Sequence, residues 1–184
     1  MNSKGFTLIE LLAVMVVLGI IMAVTIPNII GISNQNKITA YAEDAKKFKN
    51  TAEYKFRGDD TVDKPKNNGD CIVANLKYLD NAEFDSPPNN GKYLMHHSFV
   101  IMKKENRQYE YYVQLIEELP DGDGYRGIKL VNAKELESDK YLDKVSDSAN
   151  RSEYLEIIST TTADMVKNGT SIGCTNILRI YATD

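Results

Sequence analysis

Few side chains in this chain have both the type and the spacing to do chemistry. Glu10 stands as a lone carboxylate inside an apolar run. Cys71 and Cys174 are too far apart in sequence for Cys-x-x-C redox or zinc spacing. His96 and His97 are adjacent in an expected strand, where neighbours point to opposite faces, so the pair cannot easily serve one site. Asp121-Gly122-Asp123-Gly124 has the outline of a calcium loop but lacks the glutamate at the twelfth position, and a hairpin turn is the simpler expectation. Serines are plentiful, yet there is neither a Gly-x-Ser-x-Gly elbow nor a glycine-rich phosphate loop. The expectation is therefore no catalytic residue, no metal set and no cofactor. Asn150-Arg151-Ser152 and Asn168-Gly169-Thr170 match a glycosylation triplet, a pattern common enough by chance to carry no weight.

That leaves Glu10, and its surroundings make it conspicuous. From Leu11 to Ile26 no side chain is charged. Phe6 to Ile26 makes about 31 Å of helix at about 1.5 Å per residue, enough for a bilayer core of about 30 Å. Lys4 precedes the run, so the excess of positive charge puts the N-terminus on the cytoplasmic side and the long C-terminal part outside. A cleaved secretory signal would need a small-residue cleavage site, and Thr25-Ile26-Pro27-Asn28-Ile29-Ile30-Gly31 offers none. A plain signal anchor accounts for length and orientation but not for Glu10. A carboxylate at the centre of a span costs about 2.5–3.5 kcal/mol on insertion scales, and less near an end. Snorkelling of Glu10 to the headgroups is the bland alternative.

The stretch Lys4-Gly5-Phe6-Thr7-Leu8-Ile9-Glu10-Leu11-Leu12 resembles the processing motif of type IV pilins and of type II secretion pseudopilins. The resemblance covers roughly residues 1–57 and beyond them is architectural only. It implies that a prepilin peptidase cuts between Gly5 and Phe6, that Phe6 is then N-methylated, and that the apolar helix stays in the mature protein. It also implies a role for Glu10, whose carboxylate meets the new Phe6 ammonium of a neighbouring subunit during assembly. A buried charge is tolerated when paired and costs about 3–5 kcal/mol when its partner is removed, so the pair would favour one axial register over others. Pro27 and Gly31 are expected to kink or locally unwind the helix.

After that break the helix is expected to resume. Ile38, Tyr41, Ala45, Phe48, Ala52 and Phe56 recur at steps of three or four, which marks one buried face. Glu43–Lys47 and Glu53–Arg57 are i,i+4 pairs in the favourable order, and Gly58 stops the helix. Asp70 is expected to cap a short helix reaching Leu79. Strands are expected over Tyr93–Met102, Gln108–Ile116, Tyr125–Val131 and Asn176–Ala182, with a surface helix over Ala133–Val145 and an ambiguous Tyr154–Thr160. The sum is an α+β fold: one long N-terminal helix, half transmembrane and half amphipathic, packed on a small antiparallel sheet. The expected division is a leader, 1–5; an apolar helix, 6–32; its amphipathic continuation, 33–57; and a globular head, 58–184.

The 184 residues carry a formal net charge of −4, which argues against a nucleic-acid partner. Lys103, Lys104 and Arg107 read as a solvated turn. Two fates stay open for the cysteines: a disulfide, chemically allowed outside the cytoplasm and closing a loop of about 100 residues, or two buried thiols. With 11 tyrosines and no tryptophan, tyrosine is the residue to supply any sticky face; Tyr109 and Tyr111 share one side of a strand and Tyr112 the other. The expected function is that of a non-enzymatic filament subunit, anchored in the membrane before assembly and displayed on a surface pilus afterwards. By the resemblance its partners are other pilins, the prepilin peptidase and methyltransferase, and an assembly platform with its ATPase. Adhesion, twitching motility and biofilm formation are roles the family implies. The alternatives are a pseudopilin of a secretion or DNA-uptake system and a single-pass anchored binding protein.

Overall fold

The computed structural model describes residues 7–79, 84, 87–137, 144–154 and 172–181, the side chains of 27–30 and 153 excepted. The chain divides into two compact units, Met1–Lys37 and Ile38–Asp184. One helix, α1 (Leu8–Gly58, 51 residues), runs through the boundary. Its backbone stays helical across Pro27 and Gly31.

In the second unit α1 does what its periodicity demands. Tyr41, Ala42, Ala45, Phe48, Ala52 and Phe56 are fully buried, one continuous face at helical steps. Ile38, expected to open that stripe, is only half-buried. Small alanines alternate with large rings, and the rings interdigitate with head aromatics. Phe48 meets Phe84 edge-on (centroids 5.7 Å apart, planes at 72°), and Tyr41 meets Tyr93 at 5.8 Å and 70°. Outside that face, Glu53 bridges Lys49 and Arg57 at 2.6 and 2.7 Å, and Glu43 is met by Lys46 at 2.7 Å. Lys47, the i+4 neighbour of Glu43, stands over the Phe84 ring. Such pairs are individually weak and set the face the helix turns to water rather than its stability.

Among the described residues seven strands form one sheet: β1 (Asp70–Asn75), β2 (Lys92–Tyr93), β3 (Phe99–Glu105), β4 (Gln108–Glu118), β5 (Tyr125–Asn132), β6 (Val145–Ser148) and β7 (Asn176–Tyr181). The order is β6-β5-β4-β3-β1-β7, with β2 pairing the end of β4. Every pairing is antiparallel except β1 with β7. The central strands are buried on both faces, and side-chain alternation sorts them into two clusters. Ile72, Ala74, Val100, Met102, Val113, Leu115 and Ile128 join the α1 side chains. Cys71, Val73, Phe99, Ile101, Leu130 and Ile172 form the other.

Burial on both faces explains the first departure from expectation. Asp70–Asn75 is a strand, with all six residues buried, not the start of a helix. Ile72, Val73, Leu76 and Leu79 happen to fall at helical steps, but the first two are β-branched and belong to a central strand. Only Leu76–Leu79 forms a helical turn, α2. Its cap is Asn75, whose Oδ1 accepts the Tyr78 N–H at 2.7 Å. Asp70 instead accepts from Asn67 and from Asn176 of β7.

Two further expectations are revised. The strand expected over Tyr93–Met102 is broken: Ser98 N–H turns back to the Leu94 carbonyl at 2.8 Å, and His96 and His97 sit in that turn. The surface helix expected over Ala133–Val145 is a 3-10 turn at Ala133–Glu137, and Val145 opens strand β6 instead; residues 138–143 lie outside the described residues. The ambiguous stretch after Tyr154 lies outside them too.

Candidate functional site

The candidate site is the first part of α1. Its start is fixed by the chain itself. Thr7 is the residue before the first helical turn, and its Oγ1 lies 3.4 Å from the Glu10 N–H. In return the Glu10 Oε2 accepts the Thr7 N–H at 2.8 Å and the Thr7 hydroxyl at 2.7 Å. Thr7-Leu8-Ile9-Glu10 is thus a reciprocal cap that satisfies donors a helix start leaves open. The pattern Thr-x-x-Glu before an apolar run was readable in the sequence. It is masked there by the larger puzzle of why an acid sits in the run at all.

Beyond the cap the helix exposes what soluble proteins bury. Leu8 is 83% exposed and Ile9 75%, and Leu11, Val16, Ile20 and Val24 all stand more than half open. Thr25 is the one hydroxyl between Leu8 and Ile26, and it bonds back to the Ile21 and Met22 carbonyls at 3.0 and 3.4 Å, hiding its polarity within the helix. Among the described residues this is one helix long and apolar enough to cross a membrane. A Cβ added at Gly19 or Gly31 would meet nothing. Gly5 and Phe6 lie outside the described residues, so the structure places only the Glu10 half of the expected pair.

The head holds the remaining candidates. Cys71 and Cys174 are joined as a disulfide with Cα atoms 5.8 Å apart. Both thiols are spent in that bond, which takes them out of any zinc set with a histidine. The same corner is tied twice more: Thr175 N–H donates to the Gly69 carbonyl at 2.7 Å, and Asn176 Nδ2 to Asp70 Oδ1 at 3.1 Å. The Asn176 bond, helped by Asn67 and opposed by partial burial, holds the Asp70 carboxyl below its ordinary range. Gly69 adopts a φ of +83°, and a Cβ there would collide with the Thr175 side chain, so the corner needs glycine.

A second polar cluster pins the loop at 87–91. Glu117 is fully buried on β4, where its Oε2 accepts from Asn89 Nδ2 and its Oε1 from the Gly91 N–H, each at 2.8 Å. Arg126 donates to Asn89 Oδ1 at 3.2 Å and pairs with Asp147 at 3.1 Å. Nearby, Tyr93 donates to Asp44 at 2.6 Å. Burial raises the Asp44 carboxyl above its usual range despite that bond, and pushes the Tyr93 phenol far above its own. These contacts were not legible in sequence, because each partner comes from a different element.

His96 is exposed and His97 buried, with its carbonyl accepting from Gln114 at 2.8 Å. Asp121-Gly122-Asp123-Gly124 makes a tight turn with Asp121, Gly122 and Gly124 at positive φ. Among the described residues no three His, Cys, Asp or Glu converge as a metal set. Nor do the tyrosines of β4 form a sticky face: Tyr109 and Tyr111 pack toward α1 and Tyr112 packs against the opposite cluster.

An exposed apolar helix thus precedes a well-packed head. Comparison with known proteins narrows this. Residues 1–26 match the family described as the prokaryotic N-terminal methylation motif. The chain is 50% identical over 50 residues to the type IV wide pilus major component PilA4 of Thermus thermophilus, a match covering 26% of this chain and 38% of that one. It is 62% identical over 29 residues to the ComG operon protein 3 homolog of Bacillus licheniformis, covering 16% of this chain and 30% of the relative. The matched stretch thus spans well under half the length of either relative. No solved structure matches. The chain carries a prokaryotic N-terminal methylation motif and shares with a type IV pilin and a ComG operon protein similarity over only part of its length.

Proposed function

We propose that this chain is a structural subunit of a type IV pilus. It is made as an anchored precursor, cut between Gly5 and Phe6, methylated on Phe6, and drawn into a helical fibre through α1. The single observation that carries this reading is the apolar face from Leu8 to Ile26, left uncovered and interrupted only by Glu10. Removing apolar surface from water is worth about 25 cal/mol per Å². That surface therefore lies in lipid before assembly and against other copies afterwards. Lipid is as apolar as the fibre core, so burial alone does not drive extraction; the family's platform and ATPase are the expected source of work.

On this reading residues 1–5 are the leader, 6–32 the membrane and fibre-core helix, 33–57 its amphipathic continuation and 58–184 the displayed head. The N-terminus starts in the cytoplasm and the head outside, where the Cys71–Cys174 bond persists. Pro27 and Gly31 mark where the helix is weakest, since proline forfeits a backbone bond and glycine costs about 1 kcal/mol of helix propensity relative to alanine. Glu10 pairs with the Phe6 ammonium of the next copy. Adhesion, twitching motility and biofilm formation follow as tasks of such a fibre.

Glu10→Ala and Glu10→Val with Gly5 intact test the pairing. Both should lose most surface fibres in electron micrographs while leader removal continues; fibres of normal number and register would contradict it. A second reading, a pseudopilin of a type II secretion or DNA-uptake system, is kept by the likeness over 29 residues to the ComG operon protein 3 homolog. Long surface fibres favour the pilus, whereas a short trans-envelope structure with a secretion or transformation defect favours the pseudopilin.

A further inference from the structure

Asparagine followed by glycine is among the most labile pairs of residues in water. The glycine nitrogen, with no side chain beside it as a shield, can attack the carbonyl carbon of the asparagine side chain. A succinimide ring closes, ammonia leaves, and water opens the ring to aspartate or isoaspartate. The sum is one water consumed and one ammonia released, with no other reagent. The sequence holds three such pairs, Asn68-Gly69, Asn90-Gly91 and Asn168-Gly169, and the first two fall among the described residues.

The pair Asn90-Gly91 cannot be relieved of its glycine. A Cβ at Gly91 would collide with the Glu118 carbonyl and the Glu117 carboxylate. Asn90 is exposed, so water reaches its side chain, and its φ of +62° is one that asparagine tolerates better than most residues. Yet the attacking atom is held. The Gly91 N–H donates to Glu117 Oε1 at 2.8 Å, and Glu117 is fully buried. The other oxygen accepts from Asn89 Nδ2, also at 2.8 Å, and Asn89 Oδ1 in turn accepts from Arg126. Strand β2 begins at the next residue, paired with the end of β4. From this we infer that Asn90-Gly91 is a deamidation site that the fold keeps silent, and that Glu117 is the residue that silences it.

Two effects act together. Ring closure needs the Gly91 nitrogen stripped of its proton, and the Glu117 carboxylate both holds that proton and opposes the negative charge left behind. Closure also needs the nitrogen to swing toward Asn90 Cγ. That motion would pull β2 away from β4 and leave a buried carboxylate short of a donor. Conversion would matter beyond the turn. Isoaspartate lengthens the backbone at position 90 by one carbon, just before Tyr93, whose hydroxyl donates to Asp44 of α1 at 2.6 Å. The pair Asn68-Gly69 is held by other means. Its Gly69 N–H donates to the Lys104 carbonyl of β3 at 2.9 Å, and Asn68 Oδ1 accepts the Asn106 N–H at 3.1 Å. That nitrogen depends on β3 rather than on Glu117, so position 68 is an internal control. The inference concerns the head and stands apart from the pilus reading.

The test holds the full chain in detergent micelles in mildly alkaline buffer. Peptide mass mapping reads conversion at positions 68 and 90 from the exchange of the side-chain amide for a carboxyl. In the folded wild type, position 90 should convert at least about tenfold more slowly than in the same chain reduced and unfolded in denaturant, the scale of one hydrogen bond to a charged group. Glu117→Gln keeps the shape, removes the charge and sets a donor against Asn89 Nδ2. It should speed conversion at 90 about tenfold and leave 68 unchanged. Fast conversion at 90 in the folded wild type, or an unchanged rate in Glu117→Gln, would overturn the inference. So would equal acceleration at 68 and 90, which marks general loosening of the head. Should Glu117→Gln fail to fold, hydrogen exchange on the wild type decides instead. The Gly91 amide should be protected, and slow conversion at 90 beside a freely exchanging Gly91 amide would contradict the role given to Glu117.

Discussion

The same helix solves opposite problems in its two halves. From Ile38 onward it buries Tyr41, Ala45, Phe48, Ala52 and Phe56 completely and turns its charged residues outward. From Leu8 to Ile26 it is apolar on every side and covers none of that surface itself. The head shows that this chain covers large apolar side chains where it has partners for them. On the proposed function, the uncovered stretch is surface reserved for lipid and for other chains. The two halves also differ in how they treat polarity. The head ties its buried acids to other elements, Glu117 to the loop at 87–91 and Asp70 to β7. The apolar half keeps a single acid and caps it locally through Thr7.

Each half fails differently when its device is removed. The largest effect belongs to the disulfide. Closing a loop of about 100 residues is worth about 4–5 kcal/mol in the chain-entropy model, so reducing Cys71–Cys174 should lower the head's unfolding free energy by that order. Denaturant melts with and without reductant, followed by near-ultraviolet circular dichroism, measure it. The loss should be confined to the head, with far-ultraviolet helix signal from the apolar half retained in micelles.

Next come matched truncations on the two faces. Phe48→Ala empties a fully buried, edge-packed position and should cost the head about 3–5 kcal/mol. Leu18→Ala removes a comparable volume from an exposed position and should leave the head's melting unchanged while reducing fibre yield. Equal effects on melting would erase the distinction between the halves.

The smallest effect is acid sensitivity. The Asp70 carboxyl is held below its ordinary range by Asn176, so its bonds to Asn176 and Asn67 contribute stability above about pH 4, the unfolded value. That contribution is lost as pH falls through the lower folded value. Asp44 acts in the opposite sense, since its raised folded value favours the folded head as it protonates. Asp70→Asn should therefore flatten the decline of the melting temperature between about pH 5 and pH 2.5, and an unchanged slope would remove Asp70 from the account.

Sequence revealed these halves unevenly, for physical reasons. The buried stripe of α1 was legible because helical periodicity is a local signal that the tertiary fold only had to accept. The hairpin Phe99–Glu118 and strand Tyr125–Asn132 were legible because turn chemistry at Asn106-Arg107 and Asp121–Gly124 brackets β-rich runs. β1 was misread because a central strand buried on both faces has no alternation to display, and its neighbours fell at helical steps by accident. Val145–Ser148 was misread because an edge strand depends on the partner that recruits it, here β5, more than on its own composition. The apolar anchor and Glu10 were plain in sequence. The cap that orients Glu10 was equally local but went unseen, because the acid was read as an anomaly of the membrane rather than as the fourth residue of Thr-x-x-Glu.

One measurement bears most directly on the claim that the uncovered helix is an assembly surface unmasked by proteolysis: the intact mass of the protein recovered from sheared surface fibres. The account predicts a chain lacking residues 1–5, bearing one added methyl group at Phe6, and with both cysteines oxidised. A fibre-borne chain still beginning at Met1 would have no Phe6 ammonium for Glu10 to meet, and would contradict it.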